Sequence, residues 1–163
     1  MSADLLIEIS IGGQRLWLRQ GGSVLMDCLI STARNGPGEQ TDSECTPRGA
    51  HLVCEKIGAE CVPGTVFVGR QPTGEVYGPA LRRRYPHRDW ILSRILWLSG
   101  AEPGRNAGGE VDSRSRYIYI HGAPDDVPMG APGSRGCVRM RNADVIELFD
   151  AVEVGTRVLI RED

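Results

Sequence analysis

Residues 117–142 read YIYIHGAPDDVPMGAPGSRGCVRMRN, and the fold of the chain turns on how this stretch is read. Its first residues, Tyr117-Ile118-Tyr119-Ile120, are aromatic and β-branched, the composition of a strand, and they deliver His121-Gly122 to the strand's end. A loop rich in proline and glycine follows, closed by Ser134-Arg135-Gly136-Cys137. From Asn142 to Asp150 the sequence predicts a helix, with Asn142 as its cap and Val145, Ile146, Leu148 and Phe149 on its buried side. A strand, a loop that doubles back and a helix in this order let one histidine and one cysteine, sixteen positions apart, meet.

The chemistry this suggests is a cysteine nucleophile with a histidine base. A thiol becomes a useful nucleophile when an imidazole within hydrogen-bond reach takes its proton or pairs with the thiolate. Gly136 permits a tight turn just before Cys137, and the backbone N–H groups of Gly136 and Cys137 can then face one oxygen as an oxyanion hole. A lone histidine and a lone cysteine are, against this, more often packed or merely exposed than catalytic. His51 is a second candidate base.

The run Ile120-His121-Gly122, a loop, then Ser134-Arg-Gly-Cys-Val-Arg-Met-Arg-Asn142 resembles the signature of the L,D-transpeptidase catalytic domain, also called the YkuD domain. The resemblance implies Cys137 as nucleophile, His121 as general base and acid, and the Gly122 carbonyl as the group that orients the imidazole. It implies that Arg139 helps hold the substrate, with Ser134 and Tyr119 also at substrate-contacting positions. Many members carry histidine where this chain has Arg135, so any role of that second imidazole is absent here. The implied reaction is attack of the thiolate between the diamino acid and the terminal D-alanine of a peptidoglycan tetrapeptide stem, through a thioester acyl-enzyme. An amine resolves that intermediate in transpeptidation and water in L,D-carboxypeptidation. No cofactor is called for, and a carbapenem adduct of Cys137 is an expected partner state. A non-catalytic module that binds a cell-wall peptide in the same cleft is the alternative.

Around this motif the chain reads as β-rich. Leu5–Ile11 and Gln14–Arg19, joined by Gly12-Gly13, predict a hairpin, and Ser23–Ala33 a further strand. Thr46-Pro47-Arg48-Gly49, similar to the family's TPxG turn, precedes a strand at His51–Ile57. Thr65–Gly69, Glu75–Tyr77 and Arg157–Arg161 are short strands, and Asp89–Gly100 is a core strand whose tryptophans read as core or pocket wall. Leu81–Arg88 is a basic run, read as a solvated face with carboxylate binding as its sharper alternative. Ala101–Arg116 is a polar loop that borders the mouth of the site. The expected fold is mainly β with one or two helices, a mostly antiparallel sandwich or barrel of L,D-transpeptidase type in one domain over residues 1–163.

Composition narrows the function classes. With 19 basic against 21 acidic residues the charge balance offers no argument for nucleic acid or an anionic membrane, and no apolar run approaches the length of a membrane span. The N-terminal Met1–Ser10 lacks a basic n-region and an uninterrupted apolar core, which argues against a secretory signal. A cytoplasmic location is the expectation, or a periplasmic one if the N-terminus is a trimmed mature form. Five cysteines include Cys45, Cys54 and Cys61, which with His51 form a conceivable zinc set, although the paired C-x2-C spacing of structural zinc sites is missing.

Overall fold

The structure, a computed structural model, describes residues 4–163. Met1–Ala3, part of the stretch judged against a secretory signal, lie outside the described residues. The Gly-Gly turn does make a hairpin: β1 (Leu5–Ser10) and β2 (Arg15–Gln20) pair antiparallel, with Ile7, Ile9, Leu16 and Leu18 fully buried on one face. β3 (Ser23–Leu29) extends this meander. β4 (Gly49–Ile57), β5 (Thr65–Val68) and β6 (Gln71–Val76) follow, then the short helix α1 (Pro79–Arg84). β7 (Ile91–Gly100), β8 (Tyr119–Ala123), β9 (Val138–Arg141), α2 (Asn142–Ala151) and β10 (Arg157–Arg161) complete the chain.

The strands form a single curled, half-barrel sheet in the order β3-β2-β1-β10-β4-β7-β5-β6, and β8 and β9 branch from β7. β7 is the hinge of this arrangement. It takes β4 and β5 in succession along one edge and β8 along the other. Its side chains Leu92, Ile95, Leu96 and Leu98 are all buried, as a strand covered on both faces requires. Two ladders are parallel, β1 with β10 and β8 with β9. Parallel neighbours need a long crossover, and residues 124–137 provide it between β8 and β9.

The mainly β expectation holds, with local corrections. β8 starts at Tyr119 because Tyr117 sits at φ 57, in the left-handed region where an extended ladder cannot begin. β9 was hidden in the motif: Val138 and Met140 point into the core while Arg139 stays half-buried on the other face, a period-2 pattern too short to read unaided. The basic run starts within α1, whose residues include none that is buried, as a solvated face demands. Asn142 is not a cap. Arg141 occupies the cap position with no side-chain bond, and Asn142 opens the helix with its amide turned toward β7 and β8. Within α2, Val145, Leu148 and Phe149 are buried but Ile146 only partly so. These three pack across β7, β8 and β9, so Leu148→Ala would cost about 2–5 kcal/mol and loosen the strands that carry the motif.

Candidate active site

Strand register assembles the site. In the parallel pair Ile120 lies opposite Val138 and His121 opposite Arg139. Facing residues in a sheet share a side, and so do residues two apart along a strand. Tyr119 and His121 on β8, and Cys137 and Arg139 at the start of β9, therefore project together to one side while Ile120, Val138 and Met140 fill the core behind them. All four line one cavity of about 410 Å³, together with Asp89, Arg70, Arg116, Tyr117, Ser134 and Arg135. His121 and Cys137 are diagonal neighbours across the two segments, since His121 lies opposite Arg139. No hydrogen bond joins them among the described residues.

His121 is 1% exposed, and its Nδ1 lies 2.7 Å from the Gly122 carbonyl. A carbonyl only accepts, so Nδ1 carries the proton and Nε2 keeps its lone pair. Gly122 can be nothing larger: a Cβ there would stand 2.5 Å from both the Leu92 carbonyl and Asn142 Oδ1. That closeness comes from a bulge in β7. The register with β8 jumps between Leu92 and Ile95, and Ser93 sits at φ 74. The Ser93 hydroxyl donates to Asn142 Oδ1 at 2.6 Å, and Asn142 Nδ2 donates to the Ala123 carbonyl at 3.0 Å. Bulge and helix start thus lock the end of β8 that holds the imidazole.

The cysteine turn is held as tightly. Gly136 adopts φ 131, and a Cβ would meet the Cys45 carbonyl at 3.2 Å, so glycine is required. The Gly136 carbonyl accepts from the Thr46 hydroxyl at 2.9 Å, which gives the Thr-Pro-Arg-Gly turn a direct part in placing the thiol. Ser31 exchanges two backbone bonds with Arg139, while Thr32 and Arg34 bond the backbone of Gly133 and Ser134. Two expectations change here. The Ser134 hydroxyl is buried in the turn, accepting from Gly136 N–H at 3.1 Å and donating to the Cys137 carbonyl at 2.5 Å, so it shapes the loop while the residue lines the cavity. The Gly136 N–H is consequently engaged, and Cys137 N–H is the remaining donor of the expected oxyanion pair.

Cys137 Sγ donates to the Tyr117 carbonyl at 3.4 Å and accepts from Tyr119 N–H at 3.3 Å. Burial pushes the thiol up to about 12, opposed by the Tyr119 N–H and the guanidiniums of Arg139 and Arg116. Burial also pushes His121 below its ordinary range, against the pull of the Gly122 carbonyl and Asp89. Burial thus disfavours the charged form of both groups. Arg139 Nη2 is 3.1 Å from Asp89 Oδ1, both partly exposed to the cavity. Arg116 also lines the cavity but is held by backbone: its guanidinium donates to the carbonyls of Gly38, Glu39 and Cys45 and holds that loop in place. Asp89, Arg70, Thr46 and Ser93 were missed from sequence because each reaches the site from a distant segment.

The other candidates lie elsewhere. His51 is 1% exposed, with Nδ1 3.0 Å from the Gly49 carbonyl and Nε2 2.8 Å from Ser113 Oγ, and it does not line the cavity. The conceivable zinc set does not come together: among the described residues no three His, Cys, Asp or Glu side chains converge. Of the basic run, Arg82 pairs with Asp126 and Arg88 with Glu75. A larger cleft of about 860 Å³ lies beside Tyr77, Leu92 and Asn142 and contains neither Cys137 nor His121.

The probable L,D-transpeptidase ErfK/SrfK of Salmonella typhimurium is 36% identical over 95 residues, 57% of this chain and 30% of that protein. The putative L,D-transpeptidase YkuD of Bacillus subtilis is 46% identical over 61 residues, 34% of this chain and 37% of that protein. The matched stretches are thus about a third of these relatives' length. In fold, the chain resembles L,D-transpeptidase 3 from Mycobacterium tuberculosis, solved in complex with a faropenem-derived adduct, with a TM-score of 0.59 at 17% identity over 98% of this chain and 60% of that one. The model of the L,D-transpeptidase catalytic domain matches residues 4–160, and the chain belongs to that family.

Proposed function

We propose that this chain catalyses cysteine-dependent acyl transfer on peptidoglycan tetrapeptide stems, cleaving the bond between the diamino acid and D-alanine. The observation that carries the reading is the register of β8 and β9, which puts the Cys137 thiol and the unengaged Nε2 of His121 on one side of a cavity. Burial disfavours charge on both groups, and a concerted step avoids forming either charge alone. As Sγ attacks the carbonyl carbon, its proton passes to Nε2, and the tetrahedral oxyanion forms against Cys137 N–H. Collapse breaks the C–N bond, the imidazolium returns its proton to the departing amine of D-alanine, and a thioester remains on Cys137. Tyr119 N–H, aimed at Sγ, stabilises sulfur as it becomes anionic and later as it leaves. Arg139, steadied by Asp89, holds a carboxylate of the stem.

The thioester is then resolved by the amine of a second stem or by water, the imidazole serving as base in either case. Transpeptidation and L,D-carboxypeptidation stand level in this reading. The faropenem-derived adduct carried by the Mycobacterium tuberculosis structure supports extending the same attack to β-lactams, with Cys137 acylated. The deciding experiment is mass spectrometry of products from a diaminopimelate-containing tetrapeptide, with and without a D-amino acid or second stem, and with Cys137→Ala as control. Tripeptide alone makes it a hydrolase, and exchanged or cross-linked products make it a transpeptidase. Absence of any product from the unsubstituted protein would overturn the catalytic reading in favour of a peptide-binding module.

A further inference from the structure

The wall of the cavity opposite in sequence to the catalytic motif is built by the turn between β5 and β6. Gly69 and Arg70 form its two-residue tip with φ 56 and 65, so both central residues are left-handed, the geometry of the turn that suits a twisted hairpin. Glycine or asparagine normally fills the second position without strain, and an arginine there is disfavoured by its Cβ. The strained residue is also the one that reaches the site. Arg70 Nη1 donates to the Tyr119 hydroxyl at 3.0 Å, and its guanidinium lies 4.7 Å from the Tyr117 ring centre and 5.1 Å from that of Trp97. Tyr117, the other aromatic of this platform, is left-handed too. Backbone strain concentrated on side chains that line a reaction cavity is a pointer to function.

Charge gives the direction. The cavity's charged side chains are four arginines, Arg70, Arg116, Arg135 and Arg139, against one carboxylate, Asp89. Asp89 is taken by Arg139, and Arg116 is spent on backbone carbonyls. Among the described residues neither Arg70 nor Arg135 belongs to any ion pair. The Tyr119 hydroxyl, accepting from Arg70, keeps its own hydrogen to donate. A guanidinium fork and a phenol hydrogen side by side, outside any ion pair and with Glu55 acting on Arg70 only through its field, form a receptor for a carboxylate.

We propose that Arg70 is a specificity residue that binds a carboxylate of the stem peptide together with the Tyr119 hydroxyl, so that the site prefers acidic stems over amidated ones; this rests on reading the cavity as a peptide acyl-transfer site. Arg135 adds to the same field. The preference is distinct from the role of Arg139, whose charge is already shared with Asp89.

The test is isothermal titration of Cys137→Ala protein with three tetrapeptides: one with all carboxylates free, one with a carboxamide at the terminal D-alanine, and one with a carboxamide on the diamino-acid side chain. The acidic form is expected to bind about 10- to 100-fold more tightly than at least one of the amides, and the amide whose penalty disappears when Arg70 is replaced identifies the carboxylate that Arg70 holds. Adding Arg70→Gln should weaken the acidic peptide and bring it within about threefold of the amide that lacks the carboxylate held by Arg70, while any penalty owed to Arg139 stays and Arg70→Lys keeps part of the difference. A uniform loss across all three peptides would show Arg70 to be a hairpin brace and overturn the assignment, as would an undiminished preference in Arg70→Gln. Failure of all three to bind overturns it together with the peptide-binding reading. Intact discrimination without turnover in the unsubstituted protein removes only the reaction and leaves Arg70 in its role.

Discussion

Two buried histidines, His51 and His121, sit in near-identical local settings and differ in one bond. Each directs Nδ1 at a backbone carbonyl, Gly49 or Gly122, and each is 1% exposed. Burial pushes both below the ordinary histidine range. At His51 the remaining nitrogen accepts from the Ser113 hydroxyl at 2.8 Å, so the ring is saturated and serves as a pin. It fastens β4 to residues 101–116, the loop that delivers Arg116 and Tyr117 to the cavity, where Glu102 and Asn106 add bonds to Ala50 and Arg48. At His121 the same nitrogen is unengaged and faces the cavity that Cys137 lines. Burial and a lowered proton affinity are thus common to a brace and to a candidate base. An open lone pair facing the cavity that Cys137 lines separates them.

That contrast can be broken most sharply at the cysteine. Cys137→Ala should abolish turnover, a loss on the order of 10^4-fold or more, and should leave no acyl adduct in intact-protein mass spectra. Full activity in this variant would remove the nucleophile. Next comes the pair of histidine substitutions. His121→Ala should lower kcat/KM by about 10^2- to 10^4-fold. His51→Ala should instead cost about 2–4 kcal/mol of stability, from the cavity and the stranded Ser113 hydroxyl, with kcat largely kept by the folded protein. Calorimetry beside steady-state kinetics reads both, and a catalytic loss confined to His51→Ala would invert the assignment. Arg139→Ala is expected to raise KM by about 10- to 100-fold with a smaller change in kcat.

The smallest effects are in pH. An imidazole with a lowered folded value is neutral down to below about pH 6.5, so the acid limb of kcat/KM should fall beneath that point. An acid limb above it would mean that His121 is not the base. Stability follows the same sign for both rings. As pH drops through about 6.5 the unfolded chain takes up protons that the folded chain refuses, so stability is lost from there down to the folded values and no further. His51→Gln should flatten part of that slope in thermal melts between about pH 7 and 5 while leaving the His121 share.

Much of this was legible in the linear chain because its signals are local. The Gly12-Gly13 turn, the alternation in β1 and β2, the aromatic run into His121-Gly122 and the apolar stripe of Val145, Leu148 and Phe149 each depend on neighbours within a few residues, and so does the Ser134–Cys137 turn. The same local motif supported the expectation of a Cys137–His121 pair. What the chain alone could not decide are contacts between segments far apart: Thr46 beneath Gly136, Ser93 and Asn142 behind His121, Asp89 on Arg139, Arg70 on Tyr119. Asn142 shows the reason. A helix start with a free amide predicts a cap, yet the bulge at Ser93 offers that amide a buried partner, and a satisfied buried bond outweighs an exposed one at a helix end. Ser134 was likewise drawn inward, because the turn leaves Gly136 N–H in need of an acceptor. Local sequence determined which elements form and which residues are candidates for the chemistry. Tertiary packing decided which polar groups were consumed in holding them and which, like the Nε2 of His121, were left open to react.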